Sequence, residues 1–306
     1  MKYDQNRQAV KKWNEEKDLD RWEKHYSEDN YNGNRLRRRE EKVLEYLDSL
    51  KLPQGADVLE LGYGAGMTSA KIYARGYNLV GIDISNKLRD IAVKNCQKAT
   101  TINAVGNYEF LIGNAERLDF PDNHFDCVVG LGFLQYLQFP EACFKEVKRV
   151  LKPNAHFILA QRNIYGVSSV DGPLKWIRSL FYLTTGRRYE LRWQDTPLFY
   201  IPYLSSAVLS PASSKAKLYQ ESLRQHKRIG LVRKNAWSFG RLRRLFQQGQ
   251  LDIVRYDGAG YLTKKRALFP ALAQKIDALL QSASDDKRIP GIHKLGNSVV
   301  FLAQKR

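Results

Sequence analysis

The segment VLELGYGAGMTSAKIYARG, residues 58–76, decides the fold of this chain. An apolar run that contains Glu60 is followed by Gly62, Gly64 and Gly66, and then by residues of helical character. Glycine lacks a Cβ atom, so a turn rich in glycine lets a ligand approach the backbone closely. The sequence therefore predicts a strand, a ligand-binding turn and a helix, in that order.

The glycine spacing weighs against two common nucleotide sites. A dinucleotide-binding turn has the pattern G-x-G-x-x-G, and Met67 occupies the place of its third glycine. A Walker A phosphate loop needs Gly-Lys-Ser or Gly-Lys-Thr, and neither occurs in this turn. The spacing consequently disfavours an oxidoreductase that binds a dinucleotide, and it excludes a phosphate loop of the Walker type here.

Strand and helix patterns alternate along the first half of the chain. Strands that are continuously apolar and alternate with helices indicate a parallel sheet covered on both faces. The alternation breaks after Arg162 and resumes near Ser238, the predicted N-cap of a helix that Gly249 ends. Strands are predicted over residues 57–62, 78–83, 108–113, 125–132, 156–162, 251–256 and 297–304. Helices are predicted over residues 36–50, 67–75, 86–97, 140–150, 171–186, 214–229, 238–249 and 272–280.

The charge of the chain is concentrated in one segment. The net charge is +18, and residues 161–250 carry 16 Lys+Arg against 4 Asp+Glu. Such a segment favours an anionic partner or surface, although a solvated basic face explains it equally well. The charged N-terminus lacks the apolar block of a signal peptide, and no apolar stretch is long enough to span a bilayer. Three cysteines without disulfide or metal-site spacing fit a reducing cytoplasm and predict no metal.

Four segments in order resemble the motifs of class I S-adenosylmethionine (SAM) methyltransferases of the methyltransferase-11, ubiquinone-methyltransferase-like type. They are ELGYGAG (residues 60–66), VGIDIS (80–85), GNAERLDFPDNHFDCVV (113–129) and FKEVKRVLKPNAHFIL (144–159). The resemblance covers residues 57–159 and implies a Rossmann-like, seven-stranded, mostly parallel sheet whose last strand is antiparallel. It also implies four regions: an N-terminal helical lid segment (1–55), a SAM-binding core (56–162), a basic aromatic insertion after strand 5 (163–235) and a completion of the sheet (236–306).

The resemblance implies a SAM site and a set of residues that line it. Asp83 would accept from both ribose hydroxyls, Glu60 would lie beneath the amino-acid end of SAM, and aromatic residues before the core would close over it. Asn114 stands where the family usually has Asp, but its side-chain oxygen can still accept from the adenine amino group. The implied cofactor-binding residues are Glu60, Gly62, Gly64, Gly66, Asp83, Ile84, Asn114, Ala115, Gly130, Leu131, Tyr26 and Tyr31.

Other side chains receive structural or undecided interpretations. Asp126 is interpreted as a structural acid at the start of a strand, and residues 35–39 as a solvated helix face. His124 is expected to be exposed and His156 to be structural. Candidate members of the acceptor pocket are Gln135, Tyr136, Tyr165, Trp193 and Tyr200. Methyl transfer from a sulfonium depends mainly on positioning, so the sequence identifies no catalytic residue.

The resemblance implies transfer of a methyl group from SAM to a small molecule such as a natural product, glycan or lipid precursor. An anionic acceptor, or one presented on a carrier or membrane surface, agrees with the basic insertion. A nucleic-acid methyltransferase is the alternative, since basic and aromatic residues also suit RNA. No Asn-Pro-Pro-Tyr or Asp-Pro-Pro-Tyr follows the fourth strand, which disfavours it. A scaffold without catalysis is a third interpretation, which the complete glycine turn and Asp83 disfavour.

Overall fold

The structure is a computed structural model, and it describes residues 31–99, 106–163, 237–261, 270–285 and 291–306. At the start of the first helix and in residues 270–274, this description covers the backbone. The helices predicted over residues 171–186 and 214–229 lie outside the described residues, as does nearly all of the basic insertion. The predicted boundaries of the four regions remain predictions.

The described residues form six α-helices and seven β-strands. The helices are α1 (Tyr31–Ser49), α2 (Met67–Tyr73), α3 (Asn86–Ala99), α4 (Pro140–Val150), α5 (Phe239–Gln248) and α6 (Pro270–Asp285). The strands are β1 (Asp57–Leu61), β2 (Asn78–Asp83), β3 (Tyr108–Ile112), β4 (Phe125–Leu131), β5 (Leu151–Arg162), β6 (Leu251–Ala259) and β7 (Ser298–Lys305). Two 3-10 helices, Leu134–Tyr136 and Ile292–Leu295, complete the assignment.

All seven strands belong to one sheet with the order β3-β2-β1-β4-β5-β7-β6. Strands β1 to β5 are parallel, whereas β7 pairs antiparallel with both β5 and β6. This arrangement confirms the predicted Rossmann-like fold with an antiparallel last strand. The chain runs outward from β1 through β2 to β3 and then returns to place β4 on the other side of β1. In open α/β sheets, ligands bind at the carboxyl ends of the strands where the order reverses in this way.

Helices cover both faces of the sheet, as the apolar strands predict. Helices α1, α2 and α3 pack on one face, in a core that includes Tyr46, Ile72 and Ala92. Helices α4 and α5 pack on the other face, where Phe144 and Phe246 meet edge to face with ring centroids 5.0 Å apart. The two helical layers leave the ends of the strands as the place where a ligand can reach the sheet.

Most predicted elements agree with the structure, but the start of β5 differs from the prediction. It begins at Leu151 rather than at residue 156, because the paired register shifts between Phe125 and Cys127 of β4 and accommodates the extra residues. Asn154 takes a positive φ of 63° within this irregularity. The helix predicted over residues 238–249 is α5, and the Ser238 hydroxyl accepts from the backbone N–H of Arg241 as a helix cap does.

Asp126 has the structural role that its position predicts. Its Oδ2 accepts from the backbone N–H of Asp57 at 2.9 Å and from Lys152 Nζ at 2.8 Å. These bonds fix the starts of β1 and β4 at the end of the sheet opposite to the switch point. His124 is exposed in the turn before β4, and His156 is half-buried within β5.

Candidate active site

The candidate site lies at the carboxyl ends of β1, β2 and β4, where the strand order reverses. The glycine turn follows β1 directly, and its three glycines have φ values of 74°, 56° and 74°. Residues with a Cβ atom rarely take these left-handed conformations, which explains the choice of glycine at all three positions. The turn ends at Gly66, after which α2 begins at Met67.

The three glycines have different surroundings. A Cβ atom on Gly62 would lie 2.6 Å from Cβ of Phe133, and one on Gly66 would lie 2.6 Å from Cα of Ala92. Both positions therefore have to be glycine for packing within the protein. A Cβ atom on Gly64 would meet no heavy atom within 4 Å among the described residues. Gly64 is accordingly the glycine of the turn beside which the described residues leave space.

Asp83, the last residue of β2, lies beside the turn. Its Oδ2 accepts from the backbone N–H of Gly64 at 3.1 Å, and its Oδ1 accepts from the backbone N–H of Ser85 at 3.0 Å. Burial raises the pKa of Asp83 above its usual value, while backbone hydrogen bonds from Gly64, Ser85 and Ile84 oppose this rise. The side chain is half-buried, and its three backbone donors leave the carboxylate further capacity to accept hydrogen bonds. Two hydroxyl groups on adjacent carbon atoms match this arrangement.

Glu60 is the second carboxyl group near the turn, but it points into the protein. Its exposed fraction is 2%, and its Oε2 accepts from the hydroxyl of Ser69 on α2. Burial, together with the charges of Glu40 and Asp83, raises the pKa of Glu60 to about 8, although the Ser69 hydrogen bond opposes this rise. The Glu60 carboxyl is thus mainly protonated at neutral pH and holds α2 against the end of β1.

Phe133 forms the wall between the ends of β1 and β4, a role that was not predicted from the sequence. A Cβ atom on Gly130 would lie 3.0 Å from Cδ1 of the Phe133 ring, and Gly62 borders the same side chain. Phe133 is 7% exposed. A signal was present in the two glycines, since small residues on neighbouring strands often mark the place of one large ring. Leu131, beside Gly130, is half-buried.

The residues predicted near the adenine ring follow β2 and β3. Ile84 and Asn114 are half-buried, and Ala115 is buried. The Asn114 Oδ1 accepts from the backbone N–H of Glu116 at 3.0 Å. These residues lie at the outer side of the site, beyond Asp83.

Helix α1 contributes an arginine for which the solvated-face interpretation is wrong. Arg38 is exposed, but Arg39 is only 6% exposed. A Cβ atom on Gly132, just past β4, would lie 3.0 Å from Cζ of the Arg39 guanidinium. The helical turn that carries Arg39 faces the end of the sheet because the next residue, Glu40, bonds to Thr68 and Lys71 of α2.

Several predicted residues cannot be placed relative to this site. Tyr26, Tyr165, Trp193 and Tyr200 lie outside the described residues, as does the side chain of Tyr31, the first residue of α1. Gln135 and Tyr136 are half-buried in the 3-10 helix that follows β4. Their proposed roles in the lid and the acceptor pocket remain predictions.

Within the described residues, no three His, Cys, Asp or Glu side chains are grouped so that they could hold a metal ion. No helix within the same ranges is long and apolar enough to cross a membrane.

Comparison with known proteins identifies the type of domain. Residues 59–159 match the protein family described as "Methyltransferase domain". Ubiquinone/menaquinone biosynthesis C-methyltransferases from Enterobacter sp. (strain 638) and Salmonella arizonae are each 32% identical over 116 residues. The match covers 38% of this chain and 46% of each relative, so it spans less than half of the relatives. It confirms the predicted resemblance: residues 59–159 form a methyltransferase domain of the class I, SAM-dependent type.

Solved structures extend the likeness of the fold beyond this segment. Magnesium protoporphyrin IX methyltransferase from Synechocystis PCC 6803, with bound S-adenosylhomocysteine (SAH), has a TM-score of 0.55 and 14% identity, and the match covers 98% of this chain and 100% of that one. A chain in the complex of the Haloferax volcanii Trm112 methyltransferase activator with a methyltransferase has a TM-score of 0.52 and 14% identity, covering 94% and 93%. At such identities the likeness concerns the fold.

Proposed function

We propose that this protein transfers a methyl group from SAM to a small-molecule acceptor. The carrying observation is the pair formed by Asp83 and Gly64. A half-buried carboxylate at the end of β2 is oriented by two backbone N–H groups and lies beside the one glycine of the turn that faces open space. This pair lies at the switch point of the sheet, within the segment that matches the methyltransferase domain.

The residues at the strand ends fit SAM in a defined order. Asp83 at β2 would accept from both ribose hydroxyls, because its carboxylate keeps acceptor capacity beyond its backbone bonds. Asn114 and Ala115, which follow β3, would border the adenine ring, with Ile84 on its other side. The turn after β1 and the residues Gly130 and Leu131 at the end of β4 would border the methionine portion. Glu60 would support the turn from inside the protein rather than contact SAM directly, since its carboxyl group bonds to Ser69.

In methyl transfer from SAM, the main task of the protein is to align the acceptor atom with the methyl group. When bound, SAM supplies a methyl group on a sulfonium, and a thioether is a good leaving group. The chain has to hold the acceptor atom in line with the methyl group and exclude water from the pocket. Phe133 and Leu134, both buried at the end of β4, give the site an apolar wall suited to that task. A general base is required only for an acceptor that must lose a proton.

A small-molecule acceptor agrees with the relatives. The curated relatives are named for methylation in ubiquinone and menaquinone biosynthesis, and the Synechocystis enzyme is named for magnesium protoporphyrin IX. The 16 Lys+Arg against 4 Asp+Glu of residues 161–250 support an acceptor that is anionic or presented on a carrier or membrane surface. A cytoplasmic location belongs to the same proposal and is supported by three buried free cysteines.

Calorimetric titration with SAH tests the proposal, using Asp83→Ala and the matched variant Asp90→Ala. Asp90 is an exposed carboxylate on α3, so the control removes the same charge without removing the bond to Gly64. We expect micromolar binding by the unmodified protein, at least tenfold weaker binding by Asp83→Ala (about 1.4 kcal/mol) and unchanged binding by Asp90→Ala. Absence of SAH binding by the unmodified protein, or equal binding by all three proteins, would refute the proposal.

A further inference from the structure

We propose that Gln161 and Trp237 recognise a hydroxyl group on the acceptor, an inference that rests on the proposed function and names the chemical class of its acceptor. The acceptor would be an apolar alcohol or phenol whose hydroxyl donates to Gln161 and accepts from Trp237. Both side chains are buried, and neither belongs to the residues that would border SAM.

Gln161 is a buried amide whose oxygen has no partner. It follows the apolar residues 157–160 of β5, and it is 1% exposed. Among the described residues, no donor bonds to its Oε1. Buried polar groups in native proteins are nearly always hydrogen-bonded, and leaving one unpaired costs stability. A ligand that supplies the missing donor explains why an amide is present at this position.

Trp237 presents the complementary group. It lies directly before Ser238, the cap of α5, and it is 1% exposed. Its indole Nε1–H donates to no acceptor in the part of the chain that the structure describes. An indole is a donor only, whereas the oxygen of a glutamine amide is an acceptor. A hydroxyl group on a ligand satisfies both, since it donates one hydrogen bond and accepts others.

The two side chains lie on the same face of the sheet. Gln161 pairs with Val299 of β7, and residues directly opposite each other in antiparallel strands point to the same face. Val299 and Trp237 belong to the apolar cluster beneath α4 and α5. At the start of α5, the Phe239 ring stacks on that of Phe301, two positions from Val299, with centroids 5.3 Å apart. The start of α5 therefore covers the carboxyl end of β5, where Gln161 lies.

This end of β5 adjoins the end of β4. The two strands are neighbours in the sheet, and the backbone N–H of Gly132, just past β4, donates to the carbonyl of Ala160 at 2.7 Å. Gln161 follows Ala160, so it lies about one strand spacing, or about 4.8 Å, from the end of β4. Gly130 and Leu131 at that end would border the methionine portion of SAM. A hydroxyl held by Gln161 would thus lie on the methyl side of the site.

The surroundings indicate an apolar body for the acceptor. Phe133 and Leu134 follow β4 and belong to the same cluster as Trp237. Aromatic side chains pack well against the face or edge of another ring. Ligand sites commonly combine such apolar walls with a few polar groups that fix the orientation. An analogue without the hydroxyl would leave both polar groups unpaired and bind more weakly.

A pair of probes isolates the hydroxyl. The protein saturated with SAH is titrated with 2-naphthol and with 2-methylnaphthalene, in which a methyl group replaces the hydroxyl. Ligand fluorescence gives each dissociation constant for the unmodified protein, Gln161→Met and Trp237→Phe. Methionine keeps the length of the side chain without the amide, and phenylalanine keeps a ring without the N–H. Gln281→Met is the matched control, because the Gln281 amide bonds to the backbone of Gly258 and Gly260.

Thermal unfolding without ligands adds a readout in which a structural role would have the opposite sign. Gln161→Met removes an unpaired buried amide, so its melting temperature should rise by about 2–4 °C. Gln281→Met removes an amide that makes backbone hydrogen bonds, so its melting temperature should fall. An equal fall in Gln161→Met overturns the inference, because that result assigns Gln161 a structural role.

We expect the unmodified protein and Gln281→Met to bind 2-naphthol at least tenfold more tightly than 2-methylnaphthalene. Gln161→Met and Trp237→Phe should lose this preference while they keep their affinity for 2-methylnaphthalene and SAH. A preference that persists in either variant overturns the inference. So does equal affinity of the unmodified protein for the two probes, or failure to bind either; an ordered water between the two side chains would give that result. Failure to bind SAH refutes the proposed function instead.

Discussion

The residues of the glycine turn and its two acids divide into an interior set and an open set. The interior set comprises Glu60, Gly62 and Gly66, which contact Ser69, Phe133 and Ala92. The open set comprises Gly64 and Asp83, which bond to each other beside open space. Both sets contain a carboxylate and glycine, and both lie in the same motifs. Residue type therefore does not distinguish the interior set from the open set. The distinction depends on whether each residue faces the protein interior or open space.

The largest expected effect is on the free energy of unfolding, which should fall more on substitution of Gly66 than of Gly64. Gly66→Ala places a Cβ atom 2.6 Å from Cα of Ala92 in a left-handed conformation. Overpacking and backbone strain together should lower the free energy of unfolding by about 3–4 kcal/mol. Gly64→Ala meets only the strain and should lose about 1 kcal/mol. Denaturant unfolding measures both variants, and equal losses would remove the distinction between the two sets.

The second expected effect is that Glu60 makes the free energy of unfolding depend on pH. In the unfolded chain a Glu loses its proton near pH 4.5, whereas Glu60 keeps it in the folded protein to about pH 8. The unfolded state then binds fewer protons between these values, so the free energy of unfolding falls as pH rises. The slope is about 1.4 kcal/mol per pH unit. Glu60→Gln has no carboxyl group to titrate, so it should not show this loss. Its free energy of unfolding minus that of the unmodified protein should therefore increase by about 2–3 kcal/mol between pH 5.5 and 7.5.

Unfolding curves at several pH values measure this difference. Asp90→Asn provides the control, because an exposed carboxylate should leave the pH dependence unchanged. If the stability of Glu60→Gln follows that of the unmodified protein at every pH, Glu60 is ionised in the folded state and does not belong with the interior set.

The third expected effect concerns affinity. Gly64→Ala keeps the N–H that bonds to Asp83 but adds a methyl group on the open side of the turn. If the ligand occupies that side, the dissociation constant for SAH should rise about tenfold, or about 1.4 kcal/mol. Calorimetry on the folded variant measures it. Unchanged affinity would mean that the ligand does not occupy this side of the turn. Gly64 would then have no role in binding.

The smallest expected effect comes from Ser85. Its backbone N–H holds Asp83, while its buried hydroxyl has no hydrogen-bond partner among the described residues. Ser85→Ala removes the hydroxyl and keeps the N–H, so stability should change by less than about 1 kcal/mol and SAH affinity by less than twofold. A tenfold loss of affinity in calorimetry would show that the hydroxyl itself contacts the ligand and belongs in the open set.

The strands and the glycine turn could be predicted because their signals are local. Apolar runs define β1 to β4, and three closely spaced glycines mark the turn after β1, where all three take left-handed conformations. Ser238 and Gly249 delimit α5 for the same reason. The start of β5 could not be predicted, because the irregularity near Asn154 depends on pairing with β4, which is distant in sequence.

The candidate site could be predicted in part. Asp83 was identifiable from its place after an apolar strand and from the resemblance that surrounds it. Arg39 was not, since a run of charged residues on a helix usually faces water. Its burial depends on the bonds of Glu40 to α2 and on its contact with Gly132, which lies 93 positions further along the chain. Phe133 escaped notice because its partners are glycines on two separate strands.

The sequence by itself determined the order of strands and helices, the place of the binding turn and the identity of the methyltransferase domain. These features depend on periodicity and on conformations that single residues impose. Only the tertiary structure decided which glycine lies beside open space, which carboxyl group is buried and that Arg39 is buried. Those roles depend on contacts between distant segments, because burial and direction are properties of the packed molecule.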